Sequence, residues 1–343
     1  MEKVNAMNPV RIIDLFAGIG GFRLAFESVG ARCVFSSEIN PSARRTYKEN
    51  FGDEPAGDIR NIHAMDIPRF DVLCAGFPCQ PFSSAGVSKK QSMGRPHGFA
   101  DKTSGTLFFE ILRILEWHQP SAFLLENVKN LQAHDRGRTF TVIQKSLEAL
   151  GYKLFVQLID GRFWVPQKRQ RIYIAGFRDR AAWAAFVRRF EDAISGSLFD
   201  ESPLPKLADI LDVDVPERYT LGDKTWSYLQ GHAEKHRQKG NGFGVKGFAD
   251  LDGCANTLPA RYGKDGAEIL IEQIGRNPRR LTPRECARLM GYPDDFVFPV
   301  SDSQAYKQLG NSVIPPVIRI LAGAMVSSID RGAVIGKESC VSL

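Results

Sequence analysis

The sequence predicts an α/β fold, a sheet of short buried strands with helices on both faces, joined to a smaller irregular, β-containing region. Three observations carry this. Short apolar runs recur, each ending at a glycine, a proline or a carboxylate, as strands buried on both faces do. Segments of helical periodicity separate them, which is the alternation of parallel α/β sheets. From about Asp179 the alternation fails and glycine, proline and basic residues take over.

Size and composition bound the rest. A chain of 343 residues, 43% hydrophobic and 24% charged, has ample core for one large or two modest domains. No run of 18 apolar residues appears, so no membrane span is expected. The start, M-E-K-V-N-A-M-N-P-V, lacks the apolar core of a secretory signal. Six cysteines without C-x-x-C spacing argue against a zinc site and a disulfide framework, so a reducing cytoplasm and no metal are expected. A net charge of +6 permits a polyanionic partner without establishing one.

The first strand is Arg11 to Phe16. It runs into Ala17-Gly18-Ile19-Gly20-Gly21 and a helix, Phe22 to Val29, closed by Gly30. Strand, glycine turn and helix open a nucleotide-binding unit, although neither the G-x-G-x-x-G spacing nor a Walker lysine is present. A second strand, Cys33 to Ser37, ends at Glu38. An acid about 20 residues past such a turn suits ribose hydroxyls, or equally a helix start before Asn40-Pro41. Asp58, in Gly57-Asp58-Ile59, accepts from an adenine amino group or caps a turn.

The strand Val72 to Ala75 ends at Gly76-Phe77-Pro78, immediately before Cys79. Carboxyl ends of strands are where open α/β sheets bind ligands, and prolines on both sides of Cys79-Gln80 stiffen a loop that packing alone would not require. The alternative is a small buried core cysteine. Gly86 to Lys102 has no periodicity and reads as a closing lid or a solvated loop, with Lys89, Lys90 and Arg95 placed for phosphates. Thr103-Ser104 caps a helix, Leu107 to Trp117, whose Leu107, Ile111, Ile114 and Leu115 are core. The strand Ala122 to Leu125 ends at Glu126-Asn127-Val128, where a carboxylate is costly unless it has a partner or a task. A helix over Thr139 to Leu150 and the segment Tyr152 to Leu158 follow. Next comes Pro166 to Arg171, entering a strand from Arg171 to Phe177. Arg169 and Arg171 alternate, so both can point to one face, a pattern that by itself more often marks a solvated basic edge strand.

Beyond Asp179, Ala181 to Phe190 reads as a linking helix and Ser195 to Pro216 as loop. Tyr219 to Ile274 reads as a region of glycine-rich basic loops centred on Lys235 to Gly244, suited to phosphates and base edges, although composition alone favours an exposed flexible insertion. Thr282, Pro283 and Glu285 form a helix start with a capping box, and Val317 to Ile329 is an apolar helix returning to the sheet.

Several of these stretches resemble the DNA (cytosine-5) methyltransferases, in that family's order. Gly76 to Ser83, G-F-P-C-Q-P-F-S, resembles the nucleophile loop. Asp14 to Gly21, D-L-F-A-G-I-G-G, resembles the cofactor loop of S-adenosylmethionine-dependent methyltransferases. Glu126-Asn127-Val128, Thr257-Leu258, Arg279 to Gly291 and Gln308 to Val313 resemble further family motifs.

The resemblance implies an S-adenosylmethionine-dependent methyltransferase Rossmann-like sheet. It implies a catalytic domain over 1–185 completed by 304–330, a target-recognition domain over 186–283, a hinge over 284–303 and a tail over 331–343. It implies methyl transfer from S-adenosylmethionine to cytosine carbon 5 in duplex DNA. Cys79, Glu126, Arg169 and Arg171 are then catalytic. Asp14, Phe16, Gly18, Gly20, Glu38, Asp58, Ile59, Pro78, Asn311 and Ser312 hold the cofactor. Gln80, Ser83, Lys89, Lys90, Arg95, Arg237, Lys239, Asn241, Thr257 and Arg261 contact DNA. After Phe82-Ser83 the chain reads Ser84-Ala85-Gly86, where some relatives carry a second serine that fills the space left by a flipped base. The resemblance further implies a monomer on DNA, paired functionally with a restriction endonuclease. Its target is a GC-rich site beginning CC, such as CCGG or CCNGG. A tRNA cytosine-5 methyltransferase and a non-catalytic DNA- or cofactor-binding protein on the same scaffold are the competing readings.

Overall fold

In the computed structural model, residues 8–77, 107–199, 204–240, 244–245 and 247–329 are described. Strands β1 (Arg11–Leu15), β2 (Arg32–Ser37), β3 (Val72–Gly76), β4 (Ala122–Val128), β5 (Lys153–Asp160) and β6 (Gln170–Phe177) form one sheet in the order β2-β1-β3-β4-β6-β5. Side chains alternate between its faces with period two. Ile12, Val72, Cys74, Ala122 and Leu124 enter one core; Ile13, Leu15, Leu73, Ala75, Phe123 and Leu125 enter the other. Both faces are covered, which is why these strands read as unbroken apolar runs.

The first four strands run parallel. The alternation predicts the same for the last two, but β6 lies antiparallel to both β4 and β5. Only residues 161–169 join β5 to β6, too few for a crossover helix, so the chain must double back. Helices α1 (Gly21–Glu27) and α2 (Pro41–Phe51) connect β1, β2 and β3; α3 (Leu107–His118) precedes β4 and α4 (Arg138–Ala149) precedes β5. Helix α2 begins where the Asn40 side chain accepts from the Ser42 and Ala43 amides, and ends at Gly52 with φ 82°. On α3, Ile111, Ile114 and Leu115 are buried with Phe108 and Leu112, while Leu107 is only half-buried and faces a cavity, not the core. The expected Thr103-Ser104 cap lies outside the described residues.

Helix α5 (Arg180–Phe199) is twice the length of the linking segment the sequence suggests. A larger correction follows. Asp223–Gln238, expected as basic loops, is a 16-residue helix, α6. Its polar composition hides it, since Leu229 is its only fully buried residue and Gly231 interrupts the pattern. Among the described residues the β content of this region is two strands of two residues, β7 (Leu270–Ile271) and β8 (Arg279–Arg280). Helices α7 (Pro283–Leu289), α8 (Asp302–Asn311) and α9 (Pro315–Val326) close the chain, with α9 packed on α1 and α5. Among the described residues no single helix is long and apolar enough to cross a membrane.

The start of α7 has the expected capping box: Thr282 accepts from the Glu285 amide, and Glu285 accepts from the Thr282 amide at 2.7 Å. Glu285 has a second task. Fully buried, it takes a bidentate ion pair from Arg279 at 2.9 Å and the Asp212 amide at 2.9 Å, tying three segments together. Removing one partner strands a buried charge. Arg279→Leu is therefore expected to cost about 3–5 kcal/mol in urea unfolding, and a loss below 1 kcal/mol would show that solvent reaches the pair.

Candidate active site

The strand order reverses at β1, whose successors lie on opposite sides of it. The crevice at the carboxyl ends of β1 and β3 is where such sheets hold ligands. Here β1 ends in a tight turn. Phe16 and Gly18 both take positive φ, 55° and 56°, and the Ala17 amide donates to the Ser37 carbonyl at 2.9 Å. Glu38, at the end of β2, accepts from the Gly18 amide at 2.9 Å and the Asn40 amide at 2.7 Å. A carboxylate held by two backbone donors is pre-aimed. A Cβ on Gly18 would meet nothing within 4 Å, so the backbone there is open.

These residues wall a cavity of about 670 Å³. Phe16, Gly18, Glu38, Asp58, Ile59, Asn311 and Ser312 all line it. Asp58 accepts from the Arg60 amide at 3.0 Å and pairs with the Arg60 guanidinium, which holds its carboxyl below the usual carboxylate range. Asn311 and Ser312 arrive from the end of α8. Gly21 lets them approach, since a Cβ there would stand 2.6 Å from Val313 and 3.2 Å from the Ser312 hydroxyl.

The other end of the same cavity holds Glu126 and Arg171. Glu126 sits in β4 beside Gly76 of β3, and Arg171 in β6 beside Val128. Their side chains meet with Arg171 Nε 3.0 Å from Glu126 Oε1. Burial pushes the Glu126 carboxyl up, opposed by the charges of Arg171 and Arg169. Next to it, buried Asn127 donates to the Phe77 carbonyl at 2.8 Å and accepts from the Val128 amide. It anchors the chain two residues before Cys79. Cys79 lies outside the described residues, as do Pro78, Gln80, Ser83, Lys89, Lys90, Arg95 and Asn241.

Arg169 also lines the cavity, but its guanidinium is held by other partners than that of Arg171. It precedes β6, so strand alternation does not govern it. Only 3% exposed, it donates to the carbonyls of Leu258 (3.2 Å), Gly310 (3.0 Å) and Ser312 (2.7 Å). Burial and neighbouring Arg171 pull its pKa down to about 9, which leaves it charged at neutral pH. It is a strut joining three distant segments. Buried Gln167 adds a second tie, accepting from the Leu258 amide at 2.8 Å and donating to the Leu289 carbonyl at 3.1 Å.

Two expected cofactor residues lie elsewhere. Asp14 is fully buried on the core side of β1, neither carboxylate oxygen has a hydrogen-bond partner, and burial pushes its pKa up to about 8. Gly20 is a packing glycine, because a Cβ there would strike the Phe51 ring at 2.2 Å. Of the expected DNA contacts, Thr257 donates to the Lys168 carbonyl and lines a second cavity of about 440 Å³ with Lys129, Arg162, Lys168 and Arg171. Arg261 is exposed but ion-paired to Glu268. Arg237 is on helix α6, paired with Glu234, and Lys239 caps that helix, so neither sits in a glycine-rich loop.

Residues the sequence did not single out also line the main cavity. Ile39 is 62% exposed at its wall although apolar, and Arg60 and Lys307 line it too. Each is a neighbour of a motif residue in sequence, and adjacency was the only signal available for them.

A family model described as C-5 cytosine-specific DNA methylase matches residues 10–327. The chain is 46% identical to the Type II methyltransferase M.DsaV of Dactylococcopsis salina, over 94% of this chain and 87% of that protein. It is 49% identical to the Type II methyltransferase M.NlaX of Neisseria lactamica, over 93% and 97% respectively. Among solved structures, the Dnmt2 methyltransferase of S. pombe shares the fold, with a TM-score of 0.73 at 22% identity over 93% of this chain and 98% of that one. With a family match across nearly its whole length and relatives close to half identical end to end, the chain belongs to the C-5 cytosine-specific DNA methylases and is a DNA-cytosine methyltransferase.

Proposed function

We propose that this enzyme transfers a methyl group from S-adenosylmethionine to carbon 5 of a cytosine extruded from duplex DNA, with Cys79 as covalent nucleophile. One observation carries the reading: a single cavity has a nucleoside-like half at Phe16, Glu38 and Asp58 and an acid–guanidinium pair, Glu126 and Arg171, at its other end. The residues present suit the cofactor. Phe16 offers an aromatic face to adenine, Glu38 is aimed to accept from ribose hydroxyls, and Asp58 stays ionised to accept from the adenine amino group. When bound, S-adenosylmethionine supplies an electrophilic methyl group on a sulfonium centre.

The chain's own residues prepare the base. Cytosine carbon 5 is a poor nucleophile until a thiolate adds to carbon 6. As the Cys79 sulfur forms that bond, the ring's electron pair moves toward nitrogen 3, where the Glu126 carboxyl delivers its proton. Arg171 holds Glu126 in place and orients the base, and its charge favours the thiolate. Carbon 5, made nucleophilic, would take the methyl group that the cofactor supplies. Loss of the carbon 5 proton to water then expels the thiolate, restores the double bond and lets nitrogen 3 return its proton to Glu126. The target must leave the stack, since no side chain reaches carbon 6 inside a duplex.

We assign residues 186–283 to target recognition, and a short GC-rich site beginning CC as the target, protected against a partner endonuclease. The test is tritium transfer from labelled cofactor to duplex DNA, with tRNA in parallel; label on tRNA alone would reject the reading. Bisulfite sequencing of plasmid from expressing cells reports the site, and methylation in unrelated contexts would reject the CC assignment. Phe16→Ala is expected to weaken S-adenosylmethionine binding by about 1–2 kcal/mol, roughly 5- to 30-fold in Kd by calorimetry. An unchanged Kd would remove Phe16 from the cofactor site.

A further inference from the structure

Helix α6 segregates its charge. At 100° per residue, Lys224, Tyr228, His232, Lys235, His236 and Lys239 fall within an arc of about 120°. Both of the helix's acids lie on other faces and are engaged there: Asp223 accepts from the Asn277 side chain at 2.7 Å, and Glu234 pairs with Arg237. A third side is packed. Leu229 and Trp226 join Leu221 and Leu270, and Gly244 approaches so near that a Cβ on it would meet Ala233 Cα at 2.7 Å. On the open arc Lys224, Tyr228, Lys235 and Lys239 are exposed, Tyr228 at 65%. The rings of Tyr228, His232 and His236 form a ladder, with centroids 6.0 Å and 4.3 Å apart.

Cations near a helix's carboxyl end are explained by its dipole, and Lys235 by itself would call for nothing more. Lys224 is not explained so, because it stands in the first turn, where the dipole disfavours positive charge. The arc also lacks Arg, Asn and Gln, the planar side chains whose fixed geometry best matches base edges with paired hydrogen bonds. Gln230, Arg237 and Gln238 all fall outside it. What remains is a row of point charges and single donors about 22 Å long, from Lys224 to Lys239, chemistry that suits phosphodiesters and carries no sequence information.

We propose that this face of α6 lies along the phosphate backbone of the substrate duplex, adding affinity without specificity. The proposal rests on the reading of the chain as an enzyme of duplex DNA, and for the residues of the helix it chooses phosphates from the two kinds of contact that the sequence suggests. The test is the full chain carrying Lys224→Gln and Lys235→Gln, with binding measured from 50 to 300 mM salt. Two probes are used: a plasmid fragment that the wild type methylates, and a 30-base-pair duplex that it does not. The slope of log K against log salt is expected to fall by about 1.8, from two lost phosphate contacts at about 0.9 each. Affinity for both duplexes falls by the same factor, and the methylated sequences are unchanged. An unchanged slope, or a loss confined to the methylated fragment, overturns the proposal. Should the double variant misfold by circular dichroism, Lys239→Gln alone, at the helix cap, is expected to lower the slope by about 0.9. If the wild type binds duplex but methylates no cytosine, the functional reading fails, and this one is still decided by the slope.

Discussion

Cys79→Ser is expected to abolish methyl transfer, by more than about 10⁴-fold in kcat, while the protein still folds and binds duplex DNA. The magnitude follows from the chemistry: without addition at carbon 6 there is no electron-rich carbon 5 to accept a methyl group, and a serine hydroxyl is scarcely ionised near neutral pH. β3 ends at Gly76, and Asn127 holds the Phe77 carbonyl, so the chain enters residue 78 from a fixed point on the cavity wall. Duplex DNA carrying 5-fluorocytosine at its target should become covalently trapped by the wild type when cofactor is supplied, because the fluorine cannot leave as a cation. Tryptic mapping should then place the adduct at residue 79. Residual turnover above one part in a hundred for Cys79→Ser, or an adduct at another residue, would reject covalent catalysis from this position.

Glu126→Gln is expected to lower kcat by 10²- to 10⁴-fold, the usual worth of a positioned proton donor. Gln keeps the shape and the contact to Arg171 but has no acidic proton. The pH dependence has a definite sign. Burial raises the Glu126 pKa above its ordinary value, against the pull of Arg171 and Arg169, so the protonated form persists to higher pH than for an exposed glutamate. The wild-type kcat should therefore fall on the alkaline side as Glu126 deprotonates, at a pH above the ordinary carboxylate range. In Glu126→Gln that limb disappears. Arg171→Ala removes the nearest positive charge, so burial acts with less opposition and the limb should move to still higher pH. A limb that stays in place in Glu126→Gln would belong to another group.

Much of the fold is written in local pattern. The parallel strands are legible because double burial makes them apolar without interruption, and Thr282-Pro283-Glu285 announces its helix through backbone chemistry within four residues. Sequence fails where a residue's partner is distant. Arg169 and Arg171 look alike in spacing, yet β6 starts at Gln170, so one lies on the strand and the other turns into a buried gap among Leu258, Gly310 and Ser312. Helix α6 is missed because an element held by one buried leucine has almost no apolar stripe to read. Asp14 opens the glycine motif in the sequence, but the strand's period sets its side chain in the same buried layer as Ile12, beside Cys74.

The Arg169 strut bears on how such enzymes exchange targets. A guanidinium that grips the Leu258 carbonyl with one nitrogen and the Gly310 and Ser312 carbonyls with another ties residue 258, inside the segment proposed to read DNA, to the wall of the main cavity. A chimera that imports another relative's DNA-reading segment therefore has its natural seam upstream of the Gln167–Ala255 bridge. Cut there, the graft inherits an intact clamp; cut after 258, it trades specificity for a loosened reaction chamber.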